Sequence, residues 1–488
     1  MLTPGGGAVE EPGSPSCLAR RMPFSCRPVA HAAAYAALVL AAACGGDATG
    51  PATSTAGGTA ATFSFTRPPD PSPSLAGRGA LGAVTAGLAL PRATIAALVA
   101  TEGAGRAFSA RYDAQPYSVT YQTVGVDGAL VSATGAVYLP AGVAAGTALP
   151  VLVYQHGTVT DRTDVPSRLT SPEGEAIGAA YAADGFAVVL PDYLGYGGSG
   201  APYHPYLHAA TEASAAVDLL RAAATLAGQH GASLDRTQLF VTGYSQGGHA
   251  AAALQRALER DYAGEFTVRA SAPMSGPYDL SGTGAGLLTT NPSYAPSVVY
   301  GALLGAAMTR TYNLTAALNG VFVPPADATA AALITGTATQ AQLAALPAQV
   351  RSEFQPALLA ALAADSTHPF WRALRDNDLL DWAPRAPTRL YFGGADRDVD
   401  PSNAPTAVAR MRAAGATNVA AVNVGATLDH GGAVLPAIIA GRLFFDSVRV
   451  QTGQYSASRT RHVNPGTTSS PSSTSSSPSV RTAVPGAR

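Results

Sequence analysis

The residues with the most specific chemistry in this sequence are Gly243-Tyr244-Ser245-Gln246-Gly247. A serine hydroxyl attacks a carbonyl only when a base takes its proton, and the base needs an acid to orient it. Alone, Gly-x-Ser-x-Gly is a weak signal. With 52 glycines in 488 residues it arises by chance about 0.4 times per chain. Its flanks carry more weight. Gln238-Leu239-Phe240-Val241-Thr242 reads as a strand, and Gly247-Gly248-His249-Ala250 opens an Ala-rich helix. At a sharp strand-to-helix turn the serine is strained and exposed, beside a helix N-terminus whose dipole favours developing negative charge.

The base is expected after the serine, with an acid between them in the chain. The candidates are His249, His368, His430 and His462. His430 stands just after the last expected strand, in Leu428-Asp429-His430-Gly431-Gly432, and is the choice. His249 shares the helix of the nucleophile and reads as packing or capping. His368 falls in a long helical region, and His462 borders a Ser/Thr/Pro-rich tail. The acid should follow the penultimate strand, where Asp396, Asp398 and Asp400 lie. Asp396 comes first, three residues past Gly393, where a rigid turn can aim it. Asp398 and Asp400 read as solvated or turn-capping residues.

Two backbone N–H groups must face the oxyanion of a tetrahedral intermediate. One is expected from Gln246 and the other from Gly157 or Thr158, in the loop after the strand at 149–154. His156 there reads as a structural loop residue. The Gly-rich stretch 191–199 lacks Gly-Lys-Ser/Thr, and the chain has no lysine to meet a phosphate, so tight turning is the better account. His204 and His208 have Pro205 between them and no third ligand, which argues against zinc.

The elements that must position these residues follow a βα alternation. Segments 117–126 and 130–139 flank Asp127-Gly128 and read as an antiparallel hairpin. Short apolar runs at 149–154, 186–190, 238–242, 268–274, 388–392 and 418–424 read as buried parallel strands. Helices are expected over 173–183, 209–227, 247–259 and 433–448. The implied fold is a mostly parallel sheet covered by helices, with an antiparallel N-terminal hairpin. The core spans 75–276 and 388–450. The Ala/Leu-rich segment 277–387, with helical stretches at 325–333 and 340–364, reads as a cap inserted before the penultimate strand.

With 47% hydrophobic residues the chain can bury a large core, and a net charge of −1 gives no general attraction to nucleic acid or anionic membrane. The three cysteines, Cys17, Cys26 and Cys44, all precede the core, so the body holds no disulfide, thiol nucleophile or Cys-ligated metal. Arg20, Arg21 and Arg27 precede an apolar run at 30–43, which reads as an export signal; Met22 is a plausible start for it. The run ends in Leu40-Ala41-Ala42-Ala43-Cys44, which resembles a bacterial lipoprotein box, though Ala41 stands where leucine is usual. Residues 44–74 read as a flexible linker and 451–488 as a disordered tail. The expected location is the cell envelope through a lipid on Cys44, or outside the cell.

Several motifs match one family. They are Tyr-Gln-His-Gly-Thr at 154–158, Pro-Asp-Tyr-Leu-Gly-Tyr-Gly at 191–197, His-Pro-Tyr at 204–206, Gly-Tyr-Ser-Gln-Gly-Gly-His at 243–249 and Gly-Pro-Tyr-Asp at 276–279. With the Asp396 and His430 segments, the chain resembles α/β-hydrolases of the secretory lipase and esterase type, over about residues 75–450. The resemblance implies the same triad, Ser245, Asp396 and His430, and a substrate tunnel beneath a helical cap. The leading expectation is a carboxylic ester hydrolase that works through an acyl-enzyme on a small or lipid ester, without metal or organic cofactor. A serine exopeptidase of the same fold is the second expectation, with Arg351, Glu353, Arg372 or Arg375 available to anchor a substrate terminus. A binding protein on a retired hydrolase scaffold is the third.

Overall fold

A computed structural model describes residues 61–290 and 294–449. The expected signal region with Met22, the lipidation candidate Cys44, most of the linker, and the tail with His462 lie outside the described residues.

Nine strands form one sheet: β1 (Leu81–Ala86), β2 (Ala114–Val124), β3 (Leu130–Pro140), β4 (Ala148–Gln155), β5 (Ala187–Pro191), β6 (Ser233–Tyr244), β7 (Val268–Met274), β8 (Thr388–Gly393) and β9 (Val419–Gly425). Their order is β1-β2-β3-β5-β4-β6-β7-β8-β9. The pairs β1–β2, β2–β3 and β3–β5 are antiparallel, and every later neighbour is parallel. This is the expected mostly parallel sheet with an antiparallel start. β1 was not expected. It is an edge strand, exposed over most of its length, so it carries no buried apolar run to mark it.

The parallel strands are apolar on both faces because helices cover both. Val151 and Val153 of β4 pack with Val217, Leu220 and Leu254, from α3 (Ala209–Gln229) and α4 (Gln246–Asp261). Leu152 and Tyr154 point the other way, towards Tyr181 of α2 (Pro172–Ala183) and Phe445 of the last helix. Each such side chain, removed from water, contributes about 1.5–3 kcal/mol. A short helix, α1 (Arg92–Thr101), lies between β1 and β2 in the chain.

Between β7 and β8 the described residues hold six helices: α5 (Gly286–Thr290), α6 (Ala295–Tyr312), α7 (Ala326–Ile334), α8 (Gln340–Ala344), α9 (Pro356–Ala364) and α10 (Pro369–Asp376). The stretch expected as helical over 340–364 is broken into α8, a 3₁₀ turn at Val350–Glu353, and α9. Two prolines explain the break. Pro347 cannot continue a helix, and Pro356 starts a new one at its first position. The insertion has its own apolar core, with Leu303, Ala306, Phe322, Leu333, Phe354 and Phe370, which Tyr206 and Leu207 join from the loop before α3. The chain then completes α11 (Asn403–Ala413) and α12 (His430–Val448) around the last two strands.

The expected linker over 44–74 is corrected at its C-terminal end. Ser64 and Thr66 donate backbone N–H groups to Leu314 and Tyr312, at 2.8 and 2.9 Å. Phe65 stacks on Tyr312, with ring centroids 5.2 Å apart, and Phe63 lies against His368. The two phenylalanines alternate with Ser64, so one face of an extended segment is apolar and docks on the insertion.

Candidate active site

Ser245 stands between β6 and α4 with φ 60° and ψ −121°. That conformation costs a serine about 1–3 kcal/mol, so the surroundings must enforce it. Its N–H donates to Met274 O at 2.9 Å, and its carbonyl accepts from Gly248 N at 2.8 Å. The flanking glycines are dictated by space. A Cβ on Gly247 would overlap the Gln155 carbonyl, and one on Gly243 would overlap the Gly247 carbonyl. The turn therefore closes only with these residues, and it leaves the serine partly exposed at the first turn of α4.

Asp396 follows β8, and His430 follows β9 as the first residue of α12. His430 Nδ1 lies 2.7 Å from Asp396 Oδ2, a carboxylate that is almost fully buried. The other carboxylate oxygen accepts the N–H groups of Asp398 and Val399 at 2.9 and 3.0 Å, which locks its direction. With Nδ1–H committed to Asp396, Nε2 is the nitrogen free to act as a base. Burial pulls the imidazole pKa down, but the hydrogen bond and charge of Asp396, then Asp398 and Asp429, outweigh it and hold His430 above the usual histidine value.

Tyr244, the residue before Ser245, ties down the His430 backbone and lies against its ring. Its hydroxyl donates to the His430 carbonyl at 2.5 Å, and the two rings are 5.0 Å apart. The structure thus joins Asp396 to His430 and brings His430 against the residue preceding Ser245. Among the described residues the Ser245 hydroxyl makes no hydrogen bond. Such contacts are often long before substrate binds.

On the oxyanion side, Gln246 is buried and opens α4, where a backbone N–H has no partner within the helix. Gly157 departs from expectation: its N–H donates to Glu173 Oε1 at 3.1 Å and is committed. Glu173 also accepts from the Tyr154 hydroxyl at 2.7 Å. Thr158, the other expected donor, has a backbone N–H with no partner among the described residues. The Thr158 hydroxyl lies 2.9 Å from that of Tyr206.

Asp398 is a second departure. It was read as solvated or turn-capping, but it accepts the hydroxyls of Tyr294 and Tyr300 at 2.7 and 2.9 Å. The insertion therefore touches the core two residues from Asp396. Neither tyrosine stood out in the sequence, because nothing local pairs them with a residue a hundred positions later. Asp400 does cap its own turn, accepting from Ser402 N at 2.8 Å.

Five further described histidines have hydrogen-bond partners of their own. His156 bonds the Gly157 carbonyl, His368 caps α10 by accepting from Phe370 N, and His208 bonds Thr211. His204 and His249 are fully buried and contact Gln246 and Glu212 respectively. Of the four charged residues offered as terminus anchors, Glu353 is fully buried and burial pushes its pKa up to about 9, so it is neutral at pH 7. Arg372 covers the Phe65 ring at 4.3 Å, and Arg351 and Arg375 are on the surface.

A family model described as the prolyl oligopeptidase family matches residues 177–274, which hold β5 to β7 and Ser245. Among solved structures, a rice cell wall degrading esterase, LipA from Xanthomonas oryzae, is 30% identical with a TM-score of 0.68, covering 76% of this chain and 100% of that one. A putative hydrolase from Legionella pneumophila is 27% identical with a TM-score of 0.69, covering 79% and 100%. Lipase A from Candida antarctica, at 15% identity and a TM-score of 0.54 over 77% and 84%, shares the fold. No curated protein matches the sequence significantly.

Proposed function

The chain belongs to the α/β-hydrolase superfamily, with lipase- and esterase-like relatives, and on that basis we propose that it hydrolyses carboxylic esters through an acyl-enzyme on Ser245. The single observation that supports this best is the 2.7 Å contact between Asp396 and His430, whose backbone carbonyl accepts from Tyr244, the neighbour of the strained serine.

In this reading His430 Nε2 takes the Ser245 proton as the oxygen attacks the ester carbonyl. The N–H groups of Gln246 and Thr158 receive the oxyanion. Collapse breaks the bond to the alcohol, which leaves with the proton from His430. Water, deprotonated by the same nitrogen, then releases the acid. Asp396 fixes the imidazole tautomer throughout. The insertion acts as the cap over this site, and export with attachment through Cys44 completes the proposal.

A peptidase reading is supported by the prolyl oligopeptidase family match. The neutral, buried Glu353 argues for esters, because it offers no charge to a peptide terminus. A fluorophosphonate should label the wild type and not Ser245→Ala, with turnover falling about 10⁴-fold or more. A p-nitrophenyl ester should be cut far faster than an aminoacyl anilide; the reverse preference would overturn the ester assignment.

A further inference from the structure

A buried polar chain runs from the insertion to the residue after the nucleophile. Asn377, at the end of α10, receives the Ala209 N–H on its side-chain oxygen at 2.9 Å and donates to the Tyr312 hydroxyl at 2.8 Å. Its backbone carbonyl lies 3.0 Å from His249 Nε2. His249 Nδ1 lies 2.7 Å from Glu212 Oε2, and both side chains are essentially excluded from water. The other Glu212 oxygen accepts from Gln246 Nε2 at 3.2 Å. The same Gln246 nitrogen lies 2.9 Å from His204 Nε2.

The proton positions follow from the partners. His204 Nδ1 faces the Leu194 carbonyl at 2.9 Å, and a carbonyl only accepts, so Nδ1 carries the hydrogen and Nε2 is bare. Burial agrees, since it pulls this imidazole down to about 3 and keeps it neutral. Gln246 therefore donates one amide hydrogen to His204 and the other to Glu212. Turning the amide over would set its oxygen against two acceptors. His249 Nε2 also faces a carbonyl and must donate to it, so Glu212 and His249 share one further proton between them. Orientation is thus specified at every link.

We propose that Glu212 is a positioning residue for the oxyanion hole, acting through the Gln246 side chain and held in turn by His249 and Asn377. This rests on the hydrolase reading above. The peptide between Ser245 and Gln246 follows a strained residue, and its rotation would relieve that strain while turning the Gln246 N–H away from the oxyanion. The side chain of Gln246, fixed at both amide hydrogens, opposes the rotation. Nothing else in the mechanism uses Glu212, and a buried carboxylate is costly unless it serves such a network.

The experiment uses the full chain, with Glu212→Leu, Glu212→Gln and Gln246→Met. Glutamine at 212 still accepts from Gln246 and donates to His249 Nδ1, so E212Q should stay within about threefold of the wild type. E212L should lose about 10- to 100-fold in kcat with KM little changed, as expected for a displaced donor. Its affinity for a boronic acid, which forms a tetrahedral adduct on Ser245, should fall by the same factor, while affinity for an uncleavable ether analogue should hold. Q246M, which keeps the backbone N–H, should match E212L, and the double variant should be no worse than either. Should E212L not fold, Q246M against E212Q carries the comparison.

Equal loss of boronate and ether binding, an unimpaired Q246M, or an E212Q as damaged as E212L would overturn the proposal. If the wild type cuts no ester but its Ser245 reacts with a fluorophosphonate, the ester assignment fails, and labelling rates across the variants still decide the role of Glu212. If Ser245 does not react at all, both fall.

Discussion

His430 carries a prediction about acidity. In the proposed mechanism it must be neutral to accept the serine proton, and its pKa is raised above 6.5 because the Asp396 bond and neighbouring charges outweigh burial. The acid limb of kcat/KM should therefore have its midpoint above pH 6.5. Asp398→Asn removes one of the raising charges and should move the limb to lower pH; a stopped pH profile at constant ionic strength reads both. At this scale the sequence was informative about placement. Ser245 between its glycines, Asp396 after β8 and His430 after β9 were legible as strand-end positions, and the structure joins the last two. Glu173 was not, because a carboxylate that occupies the Gly157 N–H has no local pattern. The tyrosine partners of Asp398 were hidden for the same reason, as side-chain contacts across a hundred residues leave no trace in spacing.

Among the elements, the turn at Ser245 and the contact of α6 with the core make the sharpest claims. Gly247→Ala would drive a methyl group into the Gln155 carbonyl, with backbone on both sides and no side chain to give way. It should destabilise the fold by at least about 2 kcal/mol, measured by urea denaturation. Tyr300→Phe removes one donor to a half-buried carboxylate and should cost about 1 kcal/mol in the same assay. Strands buried on both faces were readable as apolar runs, and helices by their Ala/Leu stretches between turns. β1 escaped because its side chains face water, and the 340–364 region looks continuous in sequence because its Ala/Leu content masks the breaks at Pro347 and Pro356.

The molecule as a whole comprises a sheet layered by helices and an insertion with its own apolar interior. The proposed export and lipidation belong to this scale. Cells expressing the wild type should carry the protein in the detergent phase after Triton X-114 partition, and Cys44→Ala should shift it to the aqueous phase; an unchanged distribution would sink the anchor. The docked segment before β1 is testable separately. Phe65→Ala removes a half-buried ring stacked on Tyr312 and covered by Arg372, and should lower stability by about 1–2 kcal/mol.

That segment also bears on how the protein can be handled. A truncation that starts at residue 75, the expected start of the core, would strip Phe63 and Phe65 from their seat and leave oily patches on α6 and α10 open to water. Such a fragment should clump or be nicked by proteases in the middle of the polypeptide, far from the cut that caused it. The front of the folded body is stitched to its centre, and a shortened version has to keep the stitch.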